Sequence, residues 1–399
     1  MTFDPQKFIN PKVKNIPPSG IRRFFDLVAN TKGVISLGVG EPDFVTPWHI
    51  REAAVQAIEK GYTMYTSNYG LPELRRAVAS YLEKRFEVAY NPETEIMVTV
   101  GASEAVDIAL RALVNDGDEV LLVEPCYVSY KPCIIMAGGT PVVIPTSASN
   151  GFKVTPVQVE KTITPRTKIL VLCYPNNPTG AVLNYEEMLA LSNIVKKHNL
   201  VVISDEIYAE LRYGEKPLSF ASLPGMQERT ILVSGFSKAF AMTGWRIGYV
   251  AAHAEFLAAM LKIHQYTILC APIMGQMAAL EALRSGETDV QKMVEQYDQR
   301  RRLVLSRLRD MGLECFEPRG AFYIFPSIAS TGLTSEEFAE ALLREERVAV
   351  VPGSVFGAGG EGHIRCSYAA SLQELTEALN RMERFVHRLR RLERIAAHA

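Results

Sequence analysis

Between about residue 50 and residue 290, short apolar runs alternate with stretches of helical periodicity, and this order constrains the fold more than any other feature of the chain. The runs are rich in Val, Ile and Leu and show little in-out alternation, as expected for strands that are covered on both faces. Helical patterns with short links lie between them, which predicts an α/β fold with a mostly parallel, doubly wound sheet. The apolar runs are EIMVTVG, DEVLLVEP, KILVLCYP, LVVISDEIY, TILVSGFS and RIGYVAA.

The sequence after about residue 291 has a different pattern. A long helical stretch leads to the strand-like segment GAFYIFP, and RVAVVPG and GHIRCSYAA are also typical of strands. Two capping boxes begin two further helices. This part of the chain therefore predicts a smaller α+β domain, on which the N-terminal residues could pack. The capping boxes pair Thr334 with Glu337 and Ser371 with Glu374.

Length and composition suit a globular protein of two domains, since the chain has 399 residues of which 48% are hydrophobic and 22% charged. We predict a large domain over residues 47–290 and a small domain formed by residues 1–46 and 291–399. No run approaches the roughly 20 apolar residues of a membrane span, and the N-terminus does not resemble a signal peptide. The net charge of -1 does not favour nucleic acid or a membrane surface as partner.

Six cysteines show no paired spacing, which is typical of reduced thiols in a cytoplasmic protein. Seven histidines show no metal-ligand spacing, so we expect no metal site.

Polar and reactive side chains follow the carboxyl ends of several predicted strands, where ligands bind to open α/β sheets. Each has a structural explanation by itself, as a helix start, a turn, a cap or a core aromatic. Their occurrence after so many strands favours one shared ligand instead. These residues are Gly101, Ala102 and Ser103 after the first run, Tyr127 after the second, Asn176 to Gly180 after the third, Asp205 and Tyr208 after the fourth, and Lys238 after the fifth.

Lys238 lies among small and apolar residues in SGFSKAFAMTGWRIGYV. Burial disfavours the charged form of a lysine, and the resulting amine is a nucleophile that forms a Schiff base with an aldehyde. Pyridoxal phosphate accounts for the whole set. A helix N-terminus and Arg246 suit its phosphate, a carboxylate keeps its pyridine nitrogen protonated, an amide and a phenol hold its 3-oxygen, and an aromatic ring covers its face.

The segments SKAFAMTGWRIGY, CYPNNPTG, ISDEIY and GEPDFVTP resemble the class I/II aminotransferases of fold type I, in the branch of the prokaryotic aspartate and aromatic aminotransferases. The resemblance extends in the same order from about residue 30 to residue 385. It implies an enzyme that moves an amino group from an L-amino acid (aspartate, aromatic or related) to a 2-oxo acid, by family expectation 2-oxoglutarate, through a ping-pong mechanism.

The resemblance implies a role for each matching residue. Lys238 would bind the cofactor covalently and move the substrate proton, Asp205 would pair with the pyridine nitrogen, and Tyr127 would stack on the ring. Arg365 would bind the substrate carboxylate by a bidentate fork, and the backbone near Gly38 would close over that carboxylate. The remaining contacts would come from Asn177 and Tyr208 at the 3-oxygen, with Asn177 also near the substrate, from Ala102, Ser103, Ser237 and Arg246 at the phosphate, and from Tyr65 of the neighbouring subunit in a homodimer with shared sites.

One position departs from the family pattern, because Gly235 stands where many relatives have a serine for the phosphate. Ser237 or Ser234 could replace that serine, and we prefer Ser237. Two other functions remain open: a pyridoxal-phosphate lyase that performs β-elimination, and a non-enzymatic regulatory module that binds the cofactor. The second has no sequence room for a DNA-binding segment.

The sequence does not decide which side chain the enzyme accepts. A dicarboxylate needs a second cation, for which Lys131 is one source. An aromatic substrate needs an apolar wall, to which Tyr266, Phe322 and Tyr323 could contribute. We assign no role to Cys270.

Overall fold

A central sheet and a smaller C-terminal layer make up the structure, a computed structural model that describes residues 3–21 and 32–396, with side chains up to residue 391. The strands in this described part are β1 (Ile35–Ser36), β2 (Ile96–Thr99), β3 (Glu119–Glu124), β4 (Thr140–Pro145), β5 (Thr167–Cys173), β6 (Val201–Asp205), β7 (Thr230–Gly235), β8 (Gly248–Ala251), β9 (Tyr323–Ile324), β10 (Val348–Ala349), β11 (Val351–Pro352) and β12 (Ile364–Ser367).

The central sheet has the strand order β2-β8-β7-β6-β5-β3-β4. All neighbouring strands are parallel except at β8, which is antiparallel to both β2 and β7. The predicted mostly parallel sheet is therefore confirmed, as are the six strands that the apolar runs indicated.

The sequence did not predict β4, which lies at the edge of this sheet. Its apolar run is short and is flanked by Pro141 and Pro145. Proline within a run argues against a central strand, but it is tolerated at an edge, where one side needs no ladder hydrogen bonds.

Helices cover the sheet and connect its strands. They are α1 (Pro11–Lys14), α2 (Trp48–Glu59), α3 (Pro72–Phe86), α4 (Gly101–Leu113), α5 (Tyr130–Met136), α6 (Pro156–Thr162), α7 (Tyr185–Lys197), α8 (Ala254–Thr267), α9 (Ile273–Ser285), α10 (Glu287–Asp310), α11 (Ser335–Glu346) and α12 (Leu372–Ala396). The predicted apolar face of α4 is buried, with Val106, Ala109 and Leu110 in the core beside the sheet.

The predicted helix starts have the expected capping geometry. The Thr334 hydroxyl accepts from the Glu337 N–H, and the Glu337 carboxylate accepts from the Thr334 N–H at 2.9 Å. Ser371 and Glu374 make the same reciprocal pair before α12. Each cap satisfies donors that the first turn of a helix leaves unpaired.

Residues from α10 onward form most of one hydrophobic core, which includes Phe338, Leu375 and Val386. Beside this core lie a three-stranded antiparallel sheet, β11-β12-β9, and the two-stranded parallel sheet β1-β10. The strand β1 comes from the N-terminal part of the chain, so residues 35–36 join the C-terminal layer. The domain boundaries at residues 46/47 and 290/291 remain a prediction.

Among the residues that the structure describes, no helix is long and apolar enough to cross a membrane. No group of three or more His, Cys, Asp or Glu side chains there is arranged to hold a metal ion. All six cysteines lie in this part of the chain and are free thiols.

Candidate active site

A cavity of about 520 Å³ lies at the carboxyl ends of β3, β5, β6 and β7. Parallel strands bring their carboxyl ends to one edge, so residues far apart in sequence meet there. Most of the residues singled out from the sequence line this cavity. They are Ala102, Ser103, Tyr127, Asn177, Asp205, Tyr208, Ser237, Lys238, Arg246 and Arg365.

Lys238 follows β7 and extends its amine into the cavity. Its Nζ donates a hydrogen bond to the Gly40 carbonyl at 2.6 Å. Burial lowers the pKa of Lys238 to about 8, and the nearby guanidinium groups of Arg365 and Arg246 act in the same direction. The Glu41 carboxylate opposes this effect only partly. Lys238 therefore has a larger share of neutral amine near neutral pH than an exposed lysine.

Asp205 ends β6 and is buried. The Tyr130 hydroxyl donates to Asp205 Oδ2 at 2.6 Å, and the Ile207 N–H donates to Oδ1 at 3.2 Å. Burial raises the pKa of Asp205, whereas these two hydrogen bonds and the Lys238 charge lower it. Tyr130 was not predicted as a site residue, although it lies three residues after Tyr127 in the same segment.

Arg365 lies on β12 and is almost wholly buried. Its Nη1 donates to Asn177 Oδ1 at 2.9 Å and its Nη2 donates to the Gly38 carbonyl at 2.7 Å. Its Nε is buried without a hydrogen-bond partner among the described residues. The guanidinium lies 4.4 Å from the ring centre of Tyr323, whose hydroxyl is 2.8 Å from that of Tyr208. The amide, the two phenols and the guanidinium thus form one contact network.

The N-terminus of α4 forms another part of the cavity wall. Gly101 has a left-handed φ of 78°, and a Cβ atom there would lie 2.6 Å from Arg246 Nη2. The following residues, Ala102 and Ser103, line the cavity in the first turn of the helix. Free N–H groups at a helix start and a nearby guanidinium are the donors that a phosphate group requires.

The two serines near Lys238 have different environments. Ser237 lines the cavity. The Ser234 hydroxyl is buried and donates to the Glu206 carbonyl at 3.3 Å. Of the two serines, only Ser237 is in a position to contact a ligand in the cavity.

Several residues that were considered from the sequence lie outside the lining. Tyr65 is 83% exposed on the surface, as is Tyr266 at 86%. Lys131 is exposed, and Phe322 packs edge-on against Tyr208 behind the cavity. Tyr323, in contrast, lines the cavity.

The side chains in this cavity fit pyridoxal phosphate. An amine with a lowered pKa, a buried carboxylate, an exposed helix start beside a guanidinium and an aromatic ring are brought together in one space. The charged lining residues are Lys238, Arg246, Arg365 and Asp205, so the described lining carries a formal excess of two positive charges. A phosphorylated ligand balances that excess.

Comparison with known proteins gives one consistent result. The family model for "Aminotransferase class I and II" matches residues 32–382. The protein YugH of Bacillus subtilis (strain 168) is 55% identical over 96% of this chain and 99% of its own length. The aspartate aminotransferase of Pyrococcus abyssi (strain GE5 / Orsay) is 49% identical over 92% of this chain and 96% of its own. The crystal structure of an aromatic aminotransferase from Pyrococcus horikoshii OT3 is 47% identical with a TM-score of 0.88, over 92% of this chain and 99% of that one.

Proposed function

The chain belongs to the class I and II aminotransferases, and from that premise we propose which residues carry its reaction and which substrates it accepts. As a member of the family it is a pyridoxal 5′-phosphate-dependent enzyme that exchanges an amino group between an amino acid and a 2-oxo acid. The β-eliminating lyase and the regulatory module are not favoured by these relatives. The observation that carries the proposal is that Lys238, Asp205 and Arg365 line one cavity.

We propose that the cofactor is held by residues that follow the strand ends, including the first turn of α4. Bound there, the cofactor supplies an electron sink for the substrate α-carbon. Asp205 would keep the pyridine nitrogen protonated, because a buried carboxylate favours a neighbouring positive charge. The other contacts would be Tyr127 on the ring face, Asn177 and Tyr208 at the 3-oxygen, and Ala102, Ser103, Ser237 and Arg246 at the phosphate.

We propose that Lys238 is both the covalent attachment point and the group that moves the substrate proton. Its pKa of about 8 gives Nζ a larger neutral fraction near neutral pH than an exposed lysine has, and the neutral amine can accept a proton from the α-carbon. The Gly40 carbonyl holds the amine at 2.6 Å, and the rings of Tyr208 and Phe322 lie 5.8 Å from Nζ. These apolar neighbours limit the access of water to the amine.

Arg365 is the proposed ligand of the substrate carboxylate. Its fork is fixed by Asn177 and Gly38 and by stacking on Tyr323, so little side-chain entropy is lost when a carboxylate binds. A preformed guanidinium favours the planar, bidentate geometry of a carboxylate over other anions.

For the substrate side chain we propose a preference for aromatic and other apolar groups over aspartate. The cationic residues of the described lining are Lys238, Arg246 and Arg365, and each already has a proposed partner. A second carboxylate would meet hydroxyl donors such as Ser19 and Ser129, whereas an apolar side chain has several apolar neighbours. Those neighbours include Ile21, Val128, Ile207 and Tyr323. The proposed acceptor is 2-oxoglutarate.

A homodimer with shared active sites is also proposed. The support is a set of large exposed apolar residues on α2, on the segment around Tyr65 and at the end of α8, because exposed apolar surface of this kind marks interaction sites. Two hydrogen bonds join the segment around Tyr65 to the α8–α9 region, from Asn68 Nδ2 to the Leu269 carbonyl at 2.8 Å and from Gln276 Nε2 to Thr66 Oγ1 at 3.0 Å. The exposed residues are Trp48, Ile58, Tyr62, Met64, Tyr65, Tyr266 and Ile268.

We further propose a cytoplasmic location. The free state of all six cysteines supports a reducing compartment.

Absorbance spectroscopy of the purified enzyme tests the reaction. L-Amino acids are added singly, without an oxo acid, while the visible band of the lysine-bound cofactor is followed. Transamination predicts a stable loss of the band that 2-oxoglutarate reverses, with phenylalanine or tyrosine effective at lower concentration than aspartate. A persistent band with release of pyruvate and ammonia would instead establish the lyase.

Mixing two inactive variants tests the shared site. If Tyr65 serves the neighbouring subunit, a heterodimer of Lys238→Ala and Tyr65→Ala subunits contains one intact site. Random reassociation then restores up to about a quarter of the wild-type sites. Absence of any recovery, with dimers present in sedimentation, would place Tyr65 outside the partner's site.

A further inference from the structure

Residues 38–46, which we call the crossing loop, connect the C-terminal layer to the lysine segment. Before the loop, Leu37 exchanges backbone hydrogen bonds with β10 and β12. At its far end, the Thr46 hydroxyl donates to the Ala241 carbonyl at 2.5 Å and accepts from Trp245 Nε1 at 3.0 Å. The loop is therefore anchored at both ends, to the C-terminal layer and to the lysine segment.

Two carbonyls of the crossing loop contact the two cations that matter most to the proposed reaction. The Gly38 carbonyl accepts from Arg365 Nη2 at 2.7 Å, and the Gly40 carbonyl accepts from Lys238 Nζ at 2.6 Å. In the holoenzyme Nζ of Lys238 would be joined to the cofactor, so the contact of Gly38 with Arg365 is the one through which the loop position affects substrate binding. A displacement of this loop by an ångström would disturb that contact, and the orientation of a bound substrate is sensitive to errors of that size.

Arg300, on α10, holds the middle of the crossing loop. Its Nη1 donates to Asp43 Oδ1 at 2.7 Å, with side chains that are only 7% and 25% exposed. Its guanidinium also lies 4.9 Å from the ring centre of Phe44 and 5.6 Å from that of Tyr297. A charge-assisted hydrogen bond combined with stacking on a ring fixes both the position and the direction of a segment.

A second polar contact at the middle of the loop is weaker. Thr243 Oγ1 donates to the Glu41 carboxylate at 2.9 Å, but this pair is exposed to solvent. Exposed pairs contribute little, because water competes for both groups. The buried contact of Arg300 with Asp43 is therefore the stronger of the two.

We propose that Arg300 is a positioning residue, which holds the crossing loop so that Arg365 binds the substrate carboxylate in the productive orientation. The inference rests on the proposed function and extends it to a residue that does not line the cavity. It follows that loss of Arg300 weakens the binding of carboxylate substrates more than it slows turnover, and leaves cofactor binding intact.

Arg300→Gln tests this inference, with Arg301→Gln as a matched control. Arg301 lies on the same helix and is 9% exposed, but its ion pairs are with Asp298 and Glu317, outside the crossing loop. We expect Arg300→Gln to raise the KM for the amino acid by about tenfold or more, because a hydrogen bond to a charged group is lost. The value of kcat should change by less than about threefold. Arg301→Gln should leave KM within about twofold of wild type.

Two further measurements separate positioning from a general loss of stability. Binding of 3-phenylpropionate, a carboxylate without an amino group, is followed in the holoenzyme through the cofactor absorbance, and it should weaken in parallel with KM. Hydrogen exchange of the holoenzyme should accelerate in residues 38–46 of Arg300→Gln and stay unchanged in α10. Asp43→Asn should reproduce the effect, and the double variant should be no worse than either single variant.

The outcomes also distinguish this inference from the function on which it rests. Unchanged KM and 3-phenylpropionate binding in Arg300→Gln would overturn the positioning role, as would faster exchange throughout α10. If Arg365→Lys also left 3-phenylpropionate binding unchanged, the proposed carboxylate site itself would be wrong, and with it the basis of the inference.

Discussion

Replacing Lys238 by methionine measures the free energy of burying its charge. Methionine has a similar length, and it can keep the contacts with the rings of Tyr208 and Phe322. In the unfolded chain the lysine stays charged up to its ordinary pKa of 10.5, but in the folded protein burial lowers this pKa to about 8. Between these two values the unfolded state binds more protons, so the free energy of unfolding rises with pH. Below pH 8 the lysine is charged in both states, so the whole free-energy cost of burying its charge destabilises the folded apoprotein.

The difference of about 2.5 pKa units, at about 1.4 kcal/mol for each, corresponds to roughly 3 kcal/mol. Lys238→Met also loses the hydrogen bond to the Gly40 carbonyl, which contributes about 1–2 kcal/mol. At pH 7 we therefore expect the cofactor-free variant to be more stable than wild type by about 1–2 kcal/mol. At pH 10 most of the charge effect is gone, so Lys238→Met should be as stable as wild type or less stable. The change between the two pH values, about 2.5 kcal/mol, does not depend on the hydrogen bond.

Urea unfolding of the cofactor-free proteins at pH 7 and pH 10, at one protein concentration, measures this change. Lys131→Met is the control, because Lys131 is exposed and its replacement should have little dependence on pH. Lys238→Met should also lack transaminase activity at both pH values. If the stability difference between Lys238→Met and wild type were the same at pH 7 and pH 10, the lysine would not be destabilised by burial and the reasoning would fail.

Three other substitutions give direct expectations. Tyr130→Phe removes a donor to the Asp205 carboxylate, so steady-state kinetics should show kcat lowered about tenfold; a normal kcat would contradict this role. Gly101→Ala places a Cβ atom 2.6 Å from Arg246 Nη2 at a residue with a left-handed φ. Cofactor titration should therefore show a dissociation constant raised about tenfold or more. Unaltered affinity would show that the phosphate does not depend on the close packing of Gly101 against Arg246. Burial raises the pKa of Glu206 from 4.5 to about 7, so the stability that this carboxyl contributes is fully present below pH 4.5 and is lost as the pH rises through 7. Glu206→Gln should remove roughly 3 kcal/mol of this pH dependence in urea unfolding. An unaltered pH profile would contradict the burial argument.

The fold was largely predictable because the central strands are continuous apolar runs. Strands such as β5 and β6 are covered on both faces, so they consist mostly of apolar residues that can be recognised in the sequence. The edge strand β4 escaped prediction because an edge needs fewer apolar residues and tolerates proline. Local capping patterns were also reliable, since Thr334 and Glu337 satisfy each other's backbone within one turn.

The site was predictable where the topology alone brings residues together. Asp205 ends β6 and Lys238 follows the neighbouring parallel strand β7, so their meeting follows from the sheet. The contact between Arg300 and Asp43 joins residues that are 257 positions apart and depends on how α10 packs against the crossing loop. No local sequence pattern indicates a contact between residues so far apart along the chain. Tyr130 lies between these cases, because its segment was identified but not the direction of its hydroxyl.

In the cavity, the positive charges of Lys238 and Arg365 are contacted mainly by backbone carbonyls and phenol rings. Burial and the guanidinium groups of Arg365 and Arg246 lower the pKa of Lys238, and Asp205 is the one carboxylate in the described lining. The carbonyls of Gly38 and Gly40 partly offset the excess positive charge without cancelling it. A phosphate group and a substrate carboxylate then bring the charge that the protein leaves unbalanced. Binding of the cofactor should therefore stabilise the fold, since the folded state gains an interaction that the unfolded chain lacks.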